Sequence, residues 1–454
     1  MSAQMDETLE RALETSGFEA GFGAHKTFYG LQDMPTVTVI GAGENDLDRR
    51  DLHDLGGYLA KVPGDVPLTI YVDGLETRVS APGAELALGY RLGAYKFDTY
   101  KSKKSDAARD LIFAGADEDV SEALLSKDYD ALADAVNMTR DLGNAPGLDI
   151  YPASFIERIR AEAKGVPNLK ITVMGKRELD RAGMGAILGV GKGSVHDPKM
   201  LILEYTGAGA NDAPLALVGK GITFDTGGIS LKPNTGQWMM KSDLSGAAAV
   251  GGTVIAAAKR GADINLVGVM PLAENMPDGR AIRPGDVLTT YDGTTIEVMS
   301  TDAEGRLLLV DAVPYTIETY KPELIIDIAT LTGSAGRALG DEYGALITRD
   351  FDLAQDMMDI GDRAGEDVWP LPLHPNHYDQ IKSEIADIKS TAGAPGASIG
   401  AAVIGTFVEA DQPWVHLDIA GVDWRDSATP TAPKGHAGWG VRFMDQLIRD
   451  YEKK

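Results

Sequence analysis

From Tyr151 onward, short apolar runs alternate with longer helical segments, a rhythm that leaves few folds open. Lys170–Met174, Met200–Tyr205, Leu215–Val218, Ile264–Met270 and Leu324–Ala329 read as strands. Ser154–Ala163, Arg177–Ala182, Ala247–Arg260 and Leu307–Tyr320 read as helices. Strands separated by helices of about 10–15 residues predict an α/β domain with a mixed, largely parallel sheet covered by helices. In such sheets ligands collect where strands end and helices begin. Those junctions are therefore where function is sought.

The first ~120 residues alternate on a smaller scale. Thr36–Ile40, Leu68–Val72 and Leu111–Ala114 predict strands, and Asp46–Leu59 and Gly83–Leu92 predict helices. Ser121 to Leu142 has apolar residues at near-helical spacing without Gly or Pro, and ends in Gly143-Asn144-Ala145-Pro146-Gly147, a strong stop signal. The expected plan is a small N-terminal α/β domain over 1–120, a connecting helix over 121–142, and a larger α/β domain over 143–454. Nothing in the N-terminal part reads as catalytic.

Composition removes whole classes of chemistry. The 454 residues contain no cysteine, which excludes disulfides, thiolate metal sites and cysteine nucleophiles. The net charge of −25 is spread over both halves, with 14 basic and 27 acidic residues up to Ile150. An acidic surface of this kind argues against affinity for nucleic-acid backbone or anionic membrane. The longest apolar stretch, Gly246 to Ala258, is too short to span a bilayer, and the N-terminus shows no basic and apolar leader. A cytoplasmic protein is expected. Glycine is over-used, at 53 residues, so many tight turns and close backbone approaches are expected.

Three junctions between Val218 and Arg306 share an unusual property. Lys220, Asp225 and Lys232 lie in a Gly-rich apolar segment, Asp243 precedes an Ala-rich helix, and Asp302 and Glu304 precede the apolar helix from Leu307. Turn and capping roles account for each carboxylate singly. They do not account for Lys220, placed where a strand should be buried, because an isolated buried charge is costly. A dinuclear metal site accounts for all of them, since four carboxylates supply enough oxygen ligands for two divalent cations. A lysine beside two cations should lose its proton readily and serve as a neutral amine ligand. Histidine offers no rival site: there is no His-Glu-x-x-His string, and the proline between His374 and His377 predicts a surface loop. Gly189–Ser194 and Val218–Lys220 miss the leading glycine of a phosphate loop, and no Gly-x-Ser-x-Gly string supports a serine hydrolase.

With these strings in hand, the chain closely resembles the leucine aminopeptidase (cytosol aminopeptidase) family of dinuclear-metal exopeptidases. The resemblance is carried by Val218–Gly228, Lys232, Lys241–Val250, Asn275-Met276-Pro277, Thr301-Asp302-Ala303-Glu304-Gly305-Arg306-Leu307, Ala329–Gly333 and Trp414–Gly421. It covers roughly Arg140 to the C-terminus. It implies a metal-dependent aminopeptidase that releases leucine-like N-terminal residues from peptides with a free N-terminus. A tight metal site of Lys220, Asp225, Asp243 and Glu304 is implied, with a looser one of Asp225, Asp302 and Glu304. Zn or Mn is the implied metal, with Mg admitted at the looser site. Lys232 is implied as the electrophile for the tetrahedral intermediate, and Arg306 as the holder of a bicarbonate that acts as general base. Met240, Thr330 and Gly333 match positions bordering the substrate side-chain pocket, and a homohexamer is implied. The rival readings are another dinuclear hydrolase and a nucleic-acid-binding protein reusing the fold. The chain departs from the family pattern at Ser300, where Asn is usual, and at Thr226 and Leu244, none of them a ligand.

Overall fold

The computed structural model describes residues 3–31, 34–43, 46–64, 66–71, 75–114, 125–209 and 213–453. The chain divides into two compact units, Met1–Ala133 with Ser427–Pro433, and Asp134–Asp426 with Lys434–Lys454.

In the first unit, helix Ala3–Ser16 precedes an antiparallel hairpin of β1 (His25–Leu31) and β2 (Met34–Ile40). Strands β3 (Leu68–Tyr71) and β4 (Leu111–Ala114) pair in parallel; helix Arg49–Leu59 precedes β3 in the chain, and helix Pro82–Gly93 lies between the two strands. Residue 72, the last of the expected Leu68–Val72 strand, lies outside the described residues. The two helices cross at glycines. A Cβ on Gly56 would stand 2.1 Å from the Leu86 carbonyl oxygen, and one on Gly89 2.0 Å from that of His53. The backbones can approach this closely only without side chains at the crossing. Beside it Glu85 is buried, bonded to His53 Nε2 at 2.6 Å, Arg49 Nε at 2.9 Å and the Tyr129 hydroxyl at 2.7 Å. That set of donors lets a carboxylate remain inside an apolar contact.

The expected connecting helix starts in residues 121–124, outside the described residues. From Leu125 a wide π-type turn (Leu125–Tyr129) runs into helix Asp130–Asn144, within which the chain passes to the second unit.

The second unit holds a nine-stranded sheet. Its strands are β5 (Leu169–Met174), β6 (Lys199–Thr206), β7 (Leu215–Gly219), β8 (Gly221–Asp225), β9 (Asn265–Asn275), β12 (Leu324–Ala329), β13 (Gly344–Ile347), β14 (Val368–Pro370) and β16 (Trp414–Asp418). The order is β14-β13-β16-β12-β7-β9-β6-β5, with β8 pairing further along β9. The centre, β16-β12-β7-β9, is parallel, and antiparallel pairs flank it. A mixed, largely parallel sheet was the expectation, and it is what forms. A smaller sheet joins β10 (Val287–Thr289), β11 (Thr295–Glu297) and β15 (Ile388–Lys389), and β17 (Trp424–Arg425) pairs with β18 (Gly435–His436).

Burial on both faces explains the near-continuous apolar strands. Ala216, Val218, Val267 and Val269 enter a core shared with helices Glu304–Tyr320 and Gly396–Gly405. The opposite face carries helix Ser245–Arg260, whose Gly and Ala residues let it lie flat on the strands. A Cβ on Gly246 would stand 2.1 Å from the Ile328 carbonyl oxygen, so the helix start is pressed against β12. The phosphate-loop-like string Gly189–Ser194 is likewise packing: a Cβ on Gly193 would stand 2.1 Å from the Met276 carbonyl oxygen. His374 and His377 do not form the expected loop. His374 caps helix Pro375–Gln380, accepting from the Asn376 N–H, and the proline takes the first helical turn, where its missing N–H costs nothing. Among the described residues no helix is long and apolar enough to cross a membrane.

Candidate metal centre

Lys220 is the single residue between β7 and β8, both of which run along β9. Its backbone is fully engaged: its N–H donates to the Ile328 carbonyl at 3.0 Å, and its carbonyl accepts from the Ala247 N–H at 2.8 Å. The register against β9 carries on unchanged from β7 into β8 and shifts only between Ile222 and Asp225, and the start of helix Ser245–Arg260 is tied to the Lys220 carbonyl. Asp225 closes β8, Asp243 stands two residues ahead of helix Ser245–Arg260, and Glu304 is the first residue of helix Glu304–Tyr320. All lie at the C-terminal ends of parallel strands and at helix N-termini, where backbone N–H groups favour negative charge.

The side chains converge. Lys220 Nζ lies 2.7 Å from Asp243 Oδ1 and 2.9 Å from Glu304 Oε1, and donates to the Thr330 carbonyl at 2.7 Å. Lys232 Nζ lies 2.8 Å from Asp225 Oδ2 and 2.6 Å from Asp302 Oδ1. The Thr330 hydroxyl donates to Asp243 Oδ1 at 2.7 Å. Ligand atoms of Asp225, Asp302 and Glu304 all lie within 4.8 Å of one another. Lys220, Asp225, Asp243 and Glu304 are buried, whereas Asp302 and Lys232 stand at the open edge.

The charges do not balance, since four carboxylates face two ammonium groups. Burial, then the charge of Glu304, pushes Asp225 up to about 6. Asp243 is also raised, by burial above all, against the pull of Lys220. Burial works to lower Lys220, but Asp243, Glu304 and Asp225 outweigh it and hold the amine protonated. By these carboxylates alone Lys220 is an ammonium in an ion pair, and the ready proton loss expected of it is one that neighbouring cations would bring about. Asp243 Oδ2 and Glu304 Oε2 are buried with no hydrogen-bond partner. Orphaned acceptors in an over-acidic cluster fit divalent cations, whose coordination would satisfy both.

The other expected residues are less engaged. Arg306 is buried, donates through Nη1 to the Ser390 carbonyl at 3.2 Å, and has no partner for Nε. Met240 is half-buried in the 3₁₀ turn Gln237–Ser242, and Gly333 is exposed at the start of helix Gly333–Leu339. Ser300, in place of the family's Asn, accepts from the Asp302 N–H at 3.3 Å and so steadies the backbone at Asp302.

Sequence reasoning passed over Asn275, Thr301 and Asp418. Asn275 Nδ2 donates to Asp225 Oδ1 and to the Thr301 carbonyl. Asp418 Oδ1 accepts from the Leu331 and Thr332 N–H groups and fixes the loop carrying Thr330. The available signal was a polar residue closing an otherwise apolar strand. A Ser-His-Asp set also occurs, with Ser245 Oγ 2.8 Å from His436 Nε2 and 3.1 Å from Asp423 Oδ2. It is no catalytic triad: Ser245 and His436 are fully buried, and His436 Nδ1 accepts from the Gly438 N–H rather than facing the aspartate.

Comparison with known proteins agrees with this geometry. Residues 137–444 match the model for the cytosol aminopeptidase family, catalytic domain, and residues 1–104 that for its N-terminal domain. The probable cytosol aminopeptidase of Dinoroseobacter shibae is 44% identical over 448 residues, covering 97% of this chain and 89% of that protein. The one from Brucella ovis is 40% identical over 460 residues, covering 98% and 91%. Among solved structures, the bottromycin maturation enzyme BotP in complex with Mn superposes with a TM-score of 0.89 at 33% identity, covering 97% of this chain and 96% of that one. The chain belongs to the cytosol aminopeptidase family of metal-dependent aminopeptidases.

Proposed function

We propose that the chain removes leucine-like residues from the N-termini of peptides, with two divalent cations held by the Lys220–Glu304 cluster. The observation that carries this reading is the over-acidic cluster itself, four carboxylates on two lysines with Asp243 Oδ2 and Glu304 Oε2 unsatisfied. Lys220, Asp225, Asp243 and Glu304 would hold the tighter cation, and Asp225, Asp302 and Glu304 the looser. Mn or Zn is proposed for both, with Mg admitted at the looser site. When bound, the cations supply Lewis acidity toward a water and the scissile carbonyl.

The chain's own groups do the rest. A free α-amine is a neutral donor that a carboxylate-lined cation site accepts, which restricts cleavage to the first peptide bond. Lys232, at the open edge, can face a carbonyl oxygen as charge develops on it. Arg306, a buried guanidinium with a spare N–H, would hold a small anion such as bicarbonate, and such an anion would supply a general base there. Met240, Thr330 and Gly333 are assigned to the side-chain pocket. The relatives' names refer those proteins to the cytosol, and we assign this chain there too, as a homohexamer.

The test is the N-terminal amine. Leucine anilide should be hydrolysed in the presence of Mn²⁺ and its N-acetyl form should not. Comparable rates on both would make the protein an amidase or endopeptidase.

A further inference from the structure

Asn275 ends β9, a strand buried along its whole length, and its side chain points into the cluster without belonging to it. Both protons of its amide are committed. Nδ2 donates to Asp225 Oδ1 at 2.8 Å and to the Thr301 carbonyl at 2.9 Å. A carboxylate and a carbonyl can only accept, so the nitrogen must be the atom facing them.

These bonds divide the work of Asp225 between its two oxygens. Oδ1 receives Asn275 Nδ2 and also the Gly227 N–H at 2.8 Å. Oδ2 has only Lys232 Nζ, an exchangeable partner at the open edge. The second Asn275 bond ties the same amide to the residue before Asp302. Thr301 is tied back again, its hydroxyl donating to the Gly227 carbonyl at 2.6 Å and accepting from the Ser230 N–H at 2.8 Å. Two chain segments far apart in sequence, one ending in Asp225 and one leading to Asp302, are thus held at a fixed spacing by one amide. Thr330 has the comparable position on the other side, bonded to Asp243 and Lys220.

We propose that Asn275 is a positioning residue that leaves Asp225 Oδ2, rather than Oδ1, to face the cations and sets the reach of Asp302 toward them. The assignment rests on the two-cation reading above. The same amide lies close to Gly228, where φ is +66° and a Cβ would stand 2.7 Å from Asn275 Oδ1, so a side chain there would press on it.

The test compares the parent protein with Asn275→Ala, Asn275→Ser and the isosteric Asn275→Asp, each full-length and freed of metal. Calorimetric titration with Mn²⁺, the electron paramagnetic resonance of the loaded protein and metal-free melting are measured together. The parent should take two ions. Ala should weaken the more exchangeable ion about 10–100-fold, as losing a partner behind a metal ligand typically does. Ser, with one short donor, should fall between parent and Ala. Asp, which places an acceptor against two acceptors, should be weakest while keeping the shape of the parent. In each variant the signal of a coupled ion pair should give way to that of an isolated ion. Lower metal-free melting with both affinities and the coupled signal unchanged would make Asn275 merely structural and overturn the proposal. A parent that binds only one ion would overturn the two-cation reading, and this assignment with it.

Discussion

Replacing Lys220 with Met should destabilise the metal-free protein, by an amount that depends on pH. The unbranched thioether keeps the stem that packs against Gly305, where the lysine's carbons leave no room for a Cβ, so no cavity opens. What is lost is the ammonium between Asp243 Oδ1, Glu304 Oε1 and the Thr330 carbonyl. Removing one partner of a buried ion pair costs about 3–5 kcal/mol, because the other charge is stranded. In a unit this large, ~2 °C per kcal/mol makes that a fall of about 6–10 °C in melting temperature.

The pH dependence follows from Asp225, pushed up to about 6 by burial and then by Glu304. A folded value above the unfolded one, ~3.9 for an aspartate, means that the folded state binds this proton more tightly. The stability it contributes is complete below pH ~4 and is lost as pH rises through about 6. Without Lys220 the neighbouring carboxylates rise further, so at pH 5 protonation relieves most of the penalty and at pH 8 none of it. Scanning fluorimetry should show a small deficit at pH 5 and the full deficit at pH 8. Mn²⁺ should restore more stability to the variant at pH 8 than to the parent, since a cation replaces the missing ammonium. A deficit equal at both pH values, or a variant as stable as the parent at pH 8, would refute the view that Lys220 holds these carboxylates together.

Lys232→Ala should behave differently: metal content measured by elemental analysis stays near that of the parent, while kcat falls by about 10²–10³, the usual effect of losing one oxyanion donor. Added metal should not recover it. In the first unit, Glu85→Gln should cost about 2–4 kcal/mol at pH 7, because His53 loses an ionic partner inside the helix crossing. Burial raises the Glu85 value, but the bond to His53 and the charges of His53 and Arg49 outweigh it and leave it depressed. Its stabilisation is therefore complete above the unfolded glutamate value and disappears as pH falls through the lower folded one. Melting profiles of parent and Glu85→Gln should converge in acid and be indifferent to Mn²⁺.

Much of the catalytic unit was legible because its signals are local. Apolar strands of β-branched residues and Ala-rich helices announce themselves by period, and the glycines at the Gly219–Gly246 approach mark where backbone meets backbone. The cluster was legible for a different reason, since lysines and carboxylates in an apolar stretch are costly unless they meet. Helix Ala3–Ser16 and β1 were not foreseen: the first is strongly polar, and β1, His-Lys-Thr-Phe-Tyr-Gly-Leu, lacks a clean alternation. Asn275 was legible only as part of a string that carries the resemblance and as a polar residue closing a strand, and its role was not. Its partners lie 50 and 26 residues away, and only the sheet order places them side by side. How Lys220 is held before any cation binds was not legible, because the sequence alone does not say that two carboxylates lie within 3 Å of its nitrogen.

That last point bears on how such a site can exist before any cation arrives. Four carboxylates gathered in one cluster, three of them buried, would repel one another, and a site that required metal in order to fold would leave the unit unfolded without it. Here each lysine bridges two carboxylates contributed by different segments: Lys220 joins Asp243 to Glu304, and Lys232 joins Asp225 to Asp302. The two ammonium groups thus do the cross-linking work of ions while the chain folds. They differ in what can follow. Lys220 is sealed in, so a cation held beside it would take the place of its proton, and affinity there should fall as pH drops. Lys232 is partly exposed and can swing off its carboxylates without losing its charge. Burial alone therefore separates an amine suited to becoming a ligand from an ammonium suited to meeting a developing oxyanion.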